Sequence, residues 1–365
     1  MDPAHKSMVE VLGINRENTS SDPLNNPAFK KPGVLASLSG VLWGRRRPID
    51  CVQVELSSAC TARCAYCPHS VHAGRWKARN MEAATFAALW PLLRHSERVH
   101  LQGWGEPLLH PRFFDFAALA RKAGCAASST SCGLHMNADI ASRIVDSGMD
   151  VLAFSLAGTD AASNAIRQGA PFATVCEHIG LMAGARAKAG AAHLRLHCAY
   201  ILLADRMETV LALPDLASEL GLQAAVVSTL DYIAAPGQET LAFAPHEADK
   251  IARARDLLTK AAARAAKLGL DFHYALPCPE PWGTCREHVE RSLYVDAEGA
   301  LSPCIYVNVP VKDTEIHRRI FGNANETDAF VCWQGERFAA FRKALESGRP
   351  EAPCIHCAKR FEKMA

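Results

Sequence analysis

The sequence contains no apolar run of 18 or more residues, so we expect no membrane-spanning helix and no membrane partner. The N-terminal residues MDPAHKSMVEVLG include an early acidic residue and lack the apolar core of a secretion signal. We therefore expect a cytoplasmic protein. The formal net charge is +2, from 40 Lys and Arg against 38 Asp and Glu. This balance gives no electrostatic footprint for nucleic acid, and we expect no such partner.

Cysteine, by contrast, is abundant, with 14 among 365 residues. In a reducing compartment so many thiols are expected to be metal ligands or buried side chains rather than disulfides. The composition is otherwise that of an ordinary globular protein, with 49% hydrophobic and 21% charged residues. The length suffices for one large α/β domain and a smaller second one.

Short apolar segments alternate with amphipathic segments between residues 51 and 269. The strands are predicted at 51–56, 98–102, 125–130, 150–156, 193–202 and 222–228, and the helices at 80–96, 111–124, 137–148, 171–190, 207–221 and 246–269. Short apolar runs are typical of buried parallel strands, and right-handed crossovers then give an open or closed α/β barrel. Asn80 is the expected N-cap of the first helix, and Pro214 interrupts the fifth.

The pattern changes after about residue 270, and six of the remaining residues are cysteines. A hairpin is predicted around Glu298 and Gly299, and a helix over 335–348. We therefore predict three parts: an N-terminal extension over residues 1–48, a β/α core over 49–245, and a linker helix with a small cysteine-rich α+β domain over 246–365.

The segment SSACTARCAYCPHS, residues 57–70, places Cys60, Cys64 and Cys67 in a C-x3-C-x2-C arrangement. It directly follows the first predicted strand, and β/α barrels carry their chemistry at the carboxyl ends of strands. Iron–sulfur clusters of the [4Fe–4S] type normally take four thiolates, so three would leave one iron open to another ligand. The spacing alone also permits a zinc site with His69 or His72 as a fourth ligand.

An aromatic residue before the third cysteine, Tyr66, completes a motif that resembles the radical S-adenosylmethionine (SAM) superfamily. The segment QGWGEPLLHP at 102–111 is similar to the G-G-E-P stretch of that superfamily, with Trp104 as a departure from it. The segment FSLAGTD and the later NAIRQGAPFATV are similar to those that supply a fourth-strand serine and an arginine, here Ser155 and Arg167. The resemblance covers residues 50 to about 230.

The resemblance implies a partial (β/α)6 barrel with a [4Fe–4S] cluster on the three cysteines and SAM chelated to the open iron. Cleavage of SAM would then give a 5'-deoxyadenosyl radical that removes a hydrogen atom from a substrate. Gly105 and Glu106 are implied at the SAM amino group, Ser155 and Arg167 at its carboxylate or ribose, and Tyr66 near the adenine. An electron donor such as flavodoxin or ferredoxin is the implied partner.

The family often has Thr-Asn-Gly where this chain has Ser131-Cys132-Gly133. We therefore do not expect this segment to make the polar contacts that Thr-Asn-Gly would make in the family. We expect Cys132 to be a buried thiol rather than a ligand.

The spacing C-x13-G-x4-C followed by C-x2-C resembles the SPASM or twitch extension of that superfamily. It is similar to the twitch domain of 2-deoxy-scyllo-inosamine dehydrogenase, and related clusters occur in molybdopterin-synthesis enzymes. One auxiliary [4Fe–4S] cluster is implied, with the ligands Cys285, Cys304, Cys354 and Cys357. Two alternatives stay open: a four-cysteine zinc site, and Cys278 or Cys332 in place of one of the four.

We therefore expect a radical SAM oxidoreductase that oxidises, or epimerises, a small polar metabolite with the help of an auxiliary cluster. The alternatives are a maturase of a ribosomally made peptide, which would form a thioether, a C–C link or an epimer, and a zinc-binding interaction protein. The catalytic residues are not predicted. Candidates for a general base or a substrate ligand are His100, Gln102, His197, Tyr200 and Asp231.

Overall fold

A computed structural model describes residues 22–25, 46–281, 285–312 and 318–364 of the chain. The predicted N-terminal extension therefore lies almost entirely outside the described residues. No helix in the described ranges is both long and apolar enough to cross a membrane.

Six parallel strands, adjacent in chain order, form the centre of an 11-stranded sheet. They are β1 (Ile49–Val54), β2 (Ser96–His100), β3 (Ala126–Ser131), β4 (Val151–Leu156), β5 (Arg195–Leu202) and β6 (Ala224–Thr229). Representative pairs across the sheet are Val52 with Val99 and Ala153 with His197. This order is that of a partial β/α barrel, and it confirms the predicted fold class.

Both edges of this parallel sheet are extended by strands from the last third of the chain. These strands are β7 (Asp271–Pro277), β8 (Ser292–Val295), β9 (Ala300–Ser302), β10 (Gly322–Asn323) and β11 (Glu362–Met364). Strand β8 pairs in parallel with β1 and forms the predicted hairpin with β9, while β7 pairs in parallel with β6. The C-terminal strand β11 runs antiparallel to β7. The cysteine-rich segments thus lie against both edges of the barrel.

The helices connect the strands at or near the predicted positions. They are α1 (Pro68–Val71), α2 (Ala83–Ala88), α3 (Trp90–Arg94), α4 (Phe113–Lys122), α5 (Ala138–Asp146), α6 (Phe172–Lys188), α7 (Leu213–Glu219), α8 (Ala248–Lys267), α9 (Ala329–Gln334) and α10 (Glu336–Glu346). The predicted helices over 80–96 and 207–221 each divide into two. Pro91 and Pro214 lie in the first turn of the second piece, where a missing N–H costs no helical hydrogen bond.

Two predictions about these elements were wrong or incomplete. Asn80 is not an N-cap: it forms a bridge with Ser57, and α2, the helix predicted to start at Asn80, begins at Ala83 after the N-cap Glu82. Strand β7 was not predicted, because DFHYALP alternates polar and apolar residues instead of forming a continuous apolar run. Its Asp271 is exposed, whereas Leu276 is buried.

Helices α2 and α4 pack on the sheet through aromatic side chains. The rings of Phe86 and Phe116 are stacked, with centroids 4.2 Å apart, and both side chains are fully buried. Together with apolar residues on the outer face of the sheet they belong to one continuous core. This packing fixes the helices that precede and follow strand β2, whose end leads into the site described below.

We expect Phe116→Ala to lower the free energy of unfolding by about 3–5 kcal/mol, because it leaves a cavity beside Phe86. Denaturant unfolding followed by circular dichroism measures this change. Val331→Ala is the control, since Val331 is 60% exposed and its truncation should change stability by about 0.5 kcal/mol or less. Equal effects of the two substitutions would contradict this account of the core.

Candidate active site

A cavity of about 290 Å³ opens at the carboxyl ends of the parallel strands. It brings together every residue that the sequence predicted for the first cluster and for SAM. These are Cys60, Cys64, Cys67, Tyr66, Gly105, Glu106, Ser155 and Arg167. Residues separated by more than 100 positions therefore meet at one site.

The loop that carries the three cysteines is held from two sides. The short strand Arg63–Cys64 pairs antiparallel with Arg167–Gln168, so that Cys64 lies opposite Arg167. On the other side, Gly105 approaches the loop so closely that a Cβ there would collide with the carbonyl oxygen of Ser57. Glycine is required at position 105 by this close approach, because any side chain would push the loop away.

Glu106 is 1% exposed, and its carboxylate is held by several donors. The backbone N–H of Cys132 donates to Oε2 at 2.6 Å, and the Ser131 hydroxyl donates to Oε1 at 2.9 Å. The N–H of Leu108 also donates to Oε1, so Glu106 caps the turn that follows it. The capping does not exclude a ligand contact, because Oε2 accepts from one donor only and keeps a second lone pair, and the side chain lines the cavity.

Arg167 is buried, with 2% exposure, although it follows an irregular segment. Its guanidinium donates to the carbonyl oxygens of Ser155 and, at 3.1 Å, of Cys132. Its Nε atom is buried without any hydrogen-bond partner. A buried guanidinium with an unused N–H beside a cavity is suited to an anionic group.

Cys132 is buried, as expected, but it also lines the cavity. Its thiol is hydrogen-bonded to that of Cys60, and this contact is the main cause of the lowered pKa of Cys60. A fourth thiol thus lies beside the three cysteines of the motif.

A second cavity, of about 140 Å³, lies in the cysteine-rich part of the chain. All four predicted auxiliary ligands line it: Cys285, Cys304, Cys354 and Cys357. Burial is the main reason why the pKa of Cys285 rises to about 12 and that of Cys354 to about 11, and neighbouring thiols add to both shifts. These thiols would therefore ionise only with a positively charged centre among them.

The other two cysteines of this region, also described, lie away from that cavity. The Cys278 thiol donates to the carbonyl oxygen of Phe361 at 2.8 Å, and the Cys332 thiol faces that of Phe321 at 3.7 Å. Neither thiol lines the second cavity.

The histidines considered for a zinc site do not line the first cavity. The His69 ring meets the Trp76 ring edge-on at 5.1 Å, and Nδ1 of His72 lies 3.2 Å from the guanidinium of Arg75. Among the described residues, no group of three or more His, Cys, Asp or Glu side chains is arranged to hold a single metal ion. The thiols surround cavities instead of converging on a point.

The two cavities share a wall, and only Asp231 among its residues was a candidate from the sequence. Asp231, Tyr232 and Tyr306 line both of them. The ring of Trp104 lies 5.6 Å from that of Tyr232 and 6.1 Å from that of Tyr306. Lys359 lines the first cavity beside this wall, and its buried ammonium contacts Asp231 at 2.6 Å. The one signal in the sequence was that Lys359 follows the predicted ligand Cys357 by two positions.

Two of the five candidate bases or substrate ligands, Gln102 and Asp231, line the first cavity. His100 is hydrogen-bonded to the Ser128 hydroxyl at 2.9 Å, and the Tyr200 hydroxyl to that of Thr209 at 2.6 Å. Both side chains, like that of His197, lie outside the lining of the first cavity.

Comparison with known proteins identifies the two domains in which these cavities lie. Residues 54–189 match the radical SAM superfamily, and residues 285–358 match the SPASM iron–sulfur cluster-binding domain. The chain is a radical SAM enzyme with a SPASM domain. The match confirms the predicted family and its cofactors, which are SAM, a [4Fe–4S] cluster and auxiliary iron–sulfur chemistry. It favours these cofactors over the zinc sites that the cysteine spacing had left open.

The solved structures to which this chain is similar include complexes with SAM. SuiB of Streptococcus suis bound to SAM has 13% sequence identity and a TM-score of 0.62, over 88% of this chain and 74% of SuiB. The anSMEcpe protein with bound SAM has 14% identity and a TM-score of 0.58, over 81% of each chain. BtrN in complex with SAM and 2-DOIA has 16% identity, over 82% of this chain and 88% of BtrN, and its TM-score of 0.39 supports no argument. No curated protein matches this chain.

The residues of this radical SAM enzyme fit both kinds of group. Three thiols, a held carboxylate and a guanidinium with an unused N–H suit a cluster with one open iron and the amino and carboxylate groups of SAM. The four thiols of the second cavity suit a fully ligated cluster.

We expect Gly105→Ala to weaken SAM binding by about 100-fold, because the new Cβ displaces the loop that carries the three cysteines. Equilibrium dialysis with labelled SAM on the iron-loaded enzyme measures the affinity. Gly74→Ala is the matched control, since a Cβ at Gly74 meets no atom within 4 Å. Unchanged affinity in Gly105→Ala would contradict the role of this close approach.

Proposed function

We propose that this enzyme removes a hydrogen atom from a small polar metabolite and completes a two-electron oxidation with one auxiliary [4Fe–4S] cluster. The observation that carries the proposal is the wall shared by the two cavities, which Asp231, Tyr232 and Tyr306 line on both sides. A substrate at this wall would lie within reach of both cofactors. The division of the chain at residues 48/49 and 245/246 stays a prediction.

The first cavity would hold a [4Fe–4S] cluster on Cys60, Cys64 and Cys67, and SAM on its open iron. When bound and reduced, this pair supplies a 5'-deoxyadenosyl radical. Glu106 would accept hydrogen bonds from the SAM amino group, because its carboxylate is already oriented by Ser131 and Cys132. The unused Nε–H of Arg167 would be donated to the SAM carboxylate.

The remaining residues of the lining would orient and shield the reaction. Tyr66 is half-buried among apolar side chains and would border the adenine, and Ser155 would border the ribose. Gly105 would leave room for the backbone of the loop. Exclusion of water by Trp104, Tyr232 and Tyr306 would protect a reactive intermediate from side reactions.

The second cavity would hold the auxiliary cluster on Cys285, Cys304, Cys354 and Cys357. With four protein ligands this cluster has no position for a substrate, so its useful role is to accept or return an electron. If the cluster accepts an electron from the substrate radical, the net reaction is an oxidation. If the cluster returns an electron, the net reaction would be an epimerisation. A flavodoxin or a ferredoxin would supply the reducing electron.

A peptide substrate is the second candidate. SuiB bound to its precursor peptide SuiA has a fold similar to this chain, with a TM-score of 0.59 over 96% of this chain. At 15% identity this likeness extends to the fold alone. A thioether, a C–C link or an epimer in a peptide would then be the product.

The cluster assignment predicts a distinct iron content for each set of substitutions. The wild-type enzyme, purified without oxygen, should hold about eight irons per chain. Replacing Cys60, Cys64 and Cys67 by Ala should leave about four irons and abolish the release of 5'-deoxyadenosine under dithionite. Replacing Cys285 and Cys354 by Ala should also leave about four irons but retain that release.

Cys332→Ala is the matched control and should retain both the iron and the release, because its thiol lies away from the cavities. Iron analysis and chromatography of 5'-deoxyadenosine measure these outcomes. Release of 5'-deoxyadenosine from the triple variant would refute the assignment of the first site.

A further inference from the structure

Among the described residues, the lining of the second cavity contains a single cationic side chain, that of Arg360. Arg360 does not line the first cavity, so it is not part of the shared wall. The residue is only 8% exposed, and its guanidinium is therefore largely removed from bulk solvent. A charge in such a place needs an anionic or strongly polar partner.

The position of Arg360 is set by the loop that carries two of the auxiliary thiols. Its backbone N–H donates to the carbonyl oxygen of Cys357 at 3.0 Å, and its Nη1 atom donates to that of Ile355 at 3.2 Å. Both acceptors belong to the C-x2-C segment that begins at Cys354. The arginine is therefore tied to the same loop as Cys354 and Cys357.

Most of the hydrogen-bonding capacity of this guanidinium is unused. A guanidinium has five N–H groups and no acceptor. Within the described ranges of the chain, the Ile355 carbonyl oxygen is the one acceptor that the side chain meets, and Nε is buried without a partner. Arg360 also forms no ion pair with a described carboxylate. Its charge and its free N–H groups are therefore available to a ligand of the cavity.

The two carboxylates in the same lining do not neutralise Arg360. Asp231 contacts the ammonium of Lys359 at 2.6 Å, and Glu287 lies 4.0 Å from that ammonium. The negative charge of the lining is thus directed towards Lys359. The positive charge of Arg360 is left for an anionic group inside the cavity.

The remaining surroundings of this charge are largely apolar. Val289, Phe341 and Leu345 line the second cavity and are 3%, 5% and 5% exposed. Electrostatic interactions are weakly screened among such side chains. A fixed positive charge here therefore acts strongly on any change of charge within the cavity.

We propose that Arg360 makes the auxiliary cluster a better electron acceptor, because its guanidinium donates a hydrogen bond to a sulfur atom of the cluster and raises the reduction potential. This inference rests on the proposed function. The electron that leaves the substrate radical adds one negative charge to the cluster and breaks no bond in it. Positive charge and hydrogen bonds at the sulfur atoms stabilise this more negative, reduced form.

The test measures reduction potentials of the holoenzyme, purified without oxygen and free of substrate. A redox titration followed by electron paramagnetic resonance gives the potential of each cluster, and the signal that changes on addition of SAM belongs to the first one. The full-length variant with Cys60, Cys64 and Cys67 replaced by Ala should keep only the auxiliary cluster. It therefore gives a second value without overlapping signals.

Arg360→Met should lower the reduction potential of the auxiliary cluster, because the charge and the N–H groups are lost. We expect the equilibrium constant for its reduction to fall about ten-fold or more, which corresponds to about 59 mV for one electron. Arg360→Lys keeps the charge but not the planar set of donors, so it should restore part of this change.

Lys343→Met is the matched control, because it also removes one positive charge from the same domain. Lys343 is exposed and lies on α10, the helix whose residues Phe341 and Leu345 line the cavity. Solvent screens its charge, so the equilibrium constant should change by about two-fold or less.

Several results would overturn this inference while the proposed function stands. They are an auxiliary potential in Arg360→Met equal to or above that of the wild type, and an equal fall in Lys343→Met. Loss of the auxiliary irons from both Arg360 variants would also overturn it, since Arg360 would then be required for cluster assembly. If only Arg360→Met loses these irons, a wild-type potential in Arg360→Lys would have the same consequence.

Failure of the proposed function would be seen differently. A wild-type enzyme that holds only about four irons per chain, without a second cluster signal, would refute the auxiliary cluster itself.

Discussion

Three thiols face one cavity because the loop that carries them is held between two other loops. Cys64 is fixed by strand pairing opposite Arg167. On the other side the loop lies directly against Gly105, where a Cβ would collide with the carbonyl oxygen of Ser57. Both contacts come from segments that also present a charged group to the same cavity, Arg167 itself and Glu106. The position of the thiols and the position of the groups that would bind SAM are therefore set by the same contacts.

The fold also places two separate cavities on either side of one shared wall. The C-terminal segments flank the barrel at both edges of the sheet, through β8 next to β1 and β11 next to β7. This arrangement brings Tyr306 and Lys359 to the end of the first cavity. In the proposed reaction the substrate radical would form in one cavity and be oxidised from the other, so that no large movement is needed between the two steps.

The sequence predicted the parts of this enzyme that depend on local spacing. The three-cysteine loop and the Glu106 segment could be found because each is a short motif, and the auxiliary cysteines because they form two recognisable spacings, C-x13-G-x4-C and C-x2-C. The shared wall could not be predicted as a unit, because Tyr306 lies far along the chain from Asp231 and Tyr232 and the three residues carry no common pattern. Strand β7 was missed for a different reason, since its alternating residues do not resemble those of a buried parallel strand.

The central claim is that the three-thiolate centre keeps one iron open for SAM. Electron–nuclear double resonance on the reduced enzyme, with SAM labelled with ¹⁵N at its amino group, tests this claim directly. The account predicts a ¹⁵N hyperfine coupling on the signal of the first cluster, present with labelled SAM and replaced by a ¹⁴N coupling with ordinary SAM. A cluster signal that is unaffected by SAM, with no nitrogen coupling, would contradict it, as would full ligation of that cluster by Cys132.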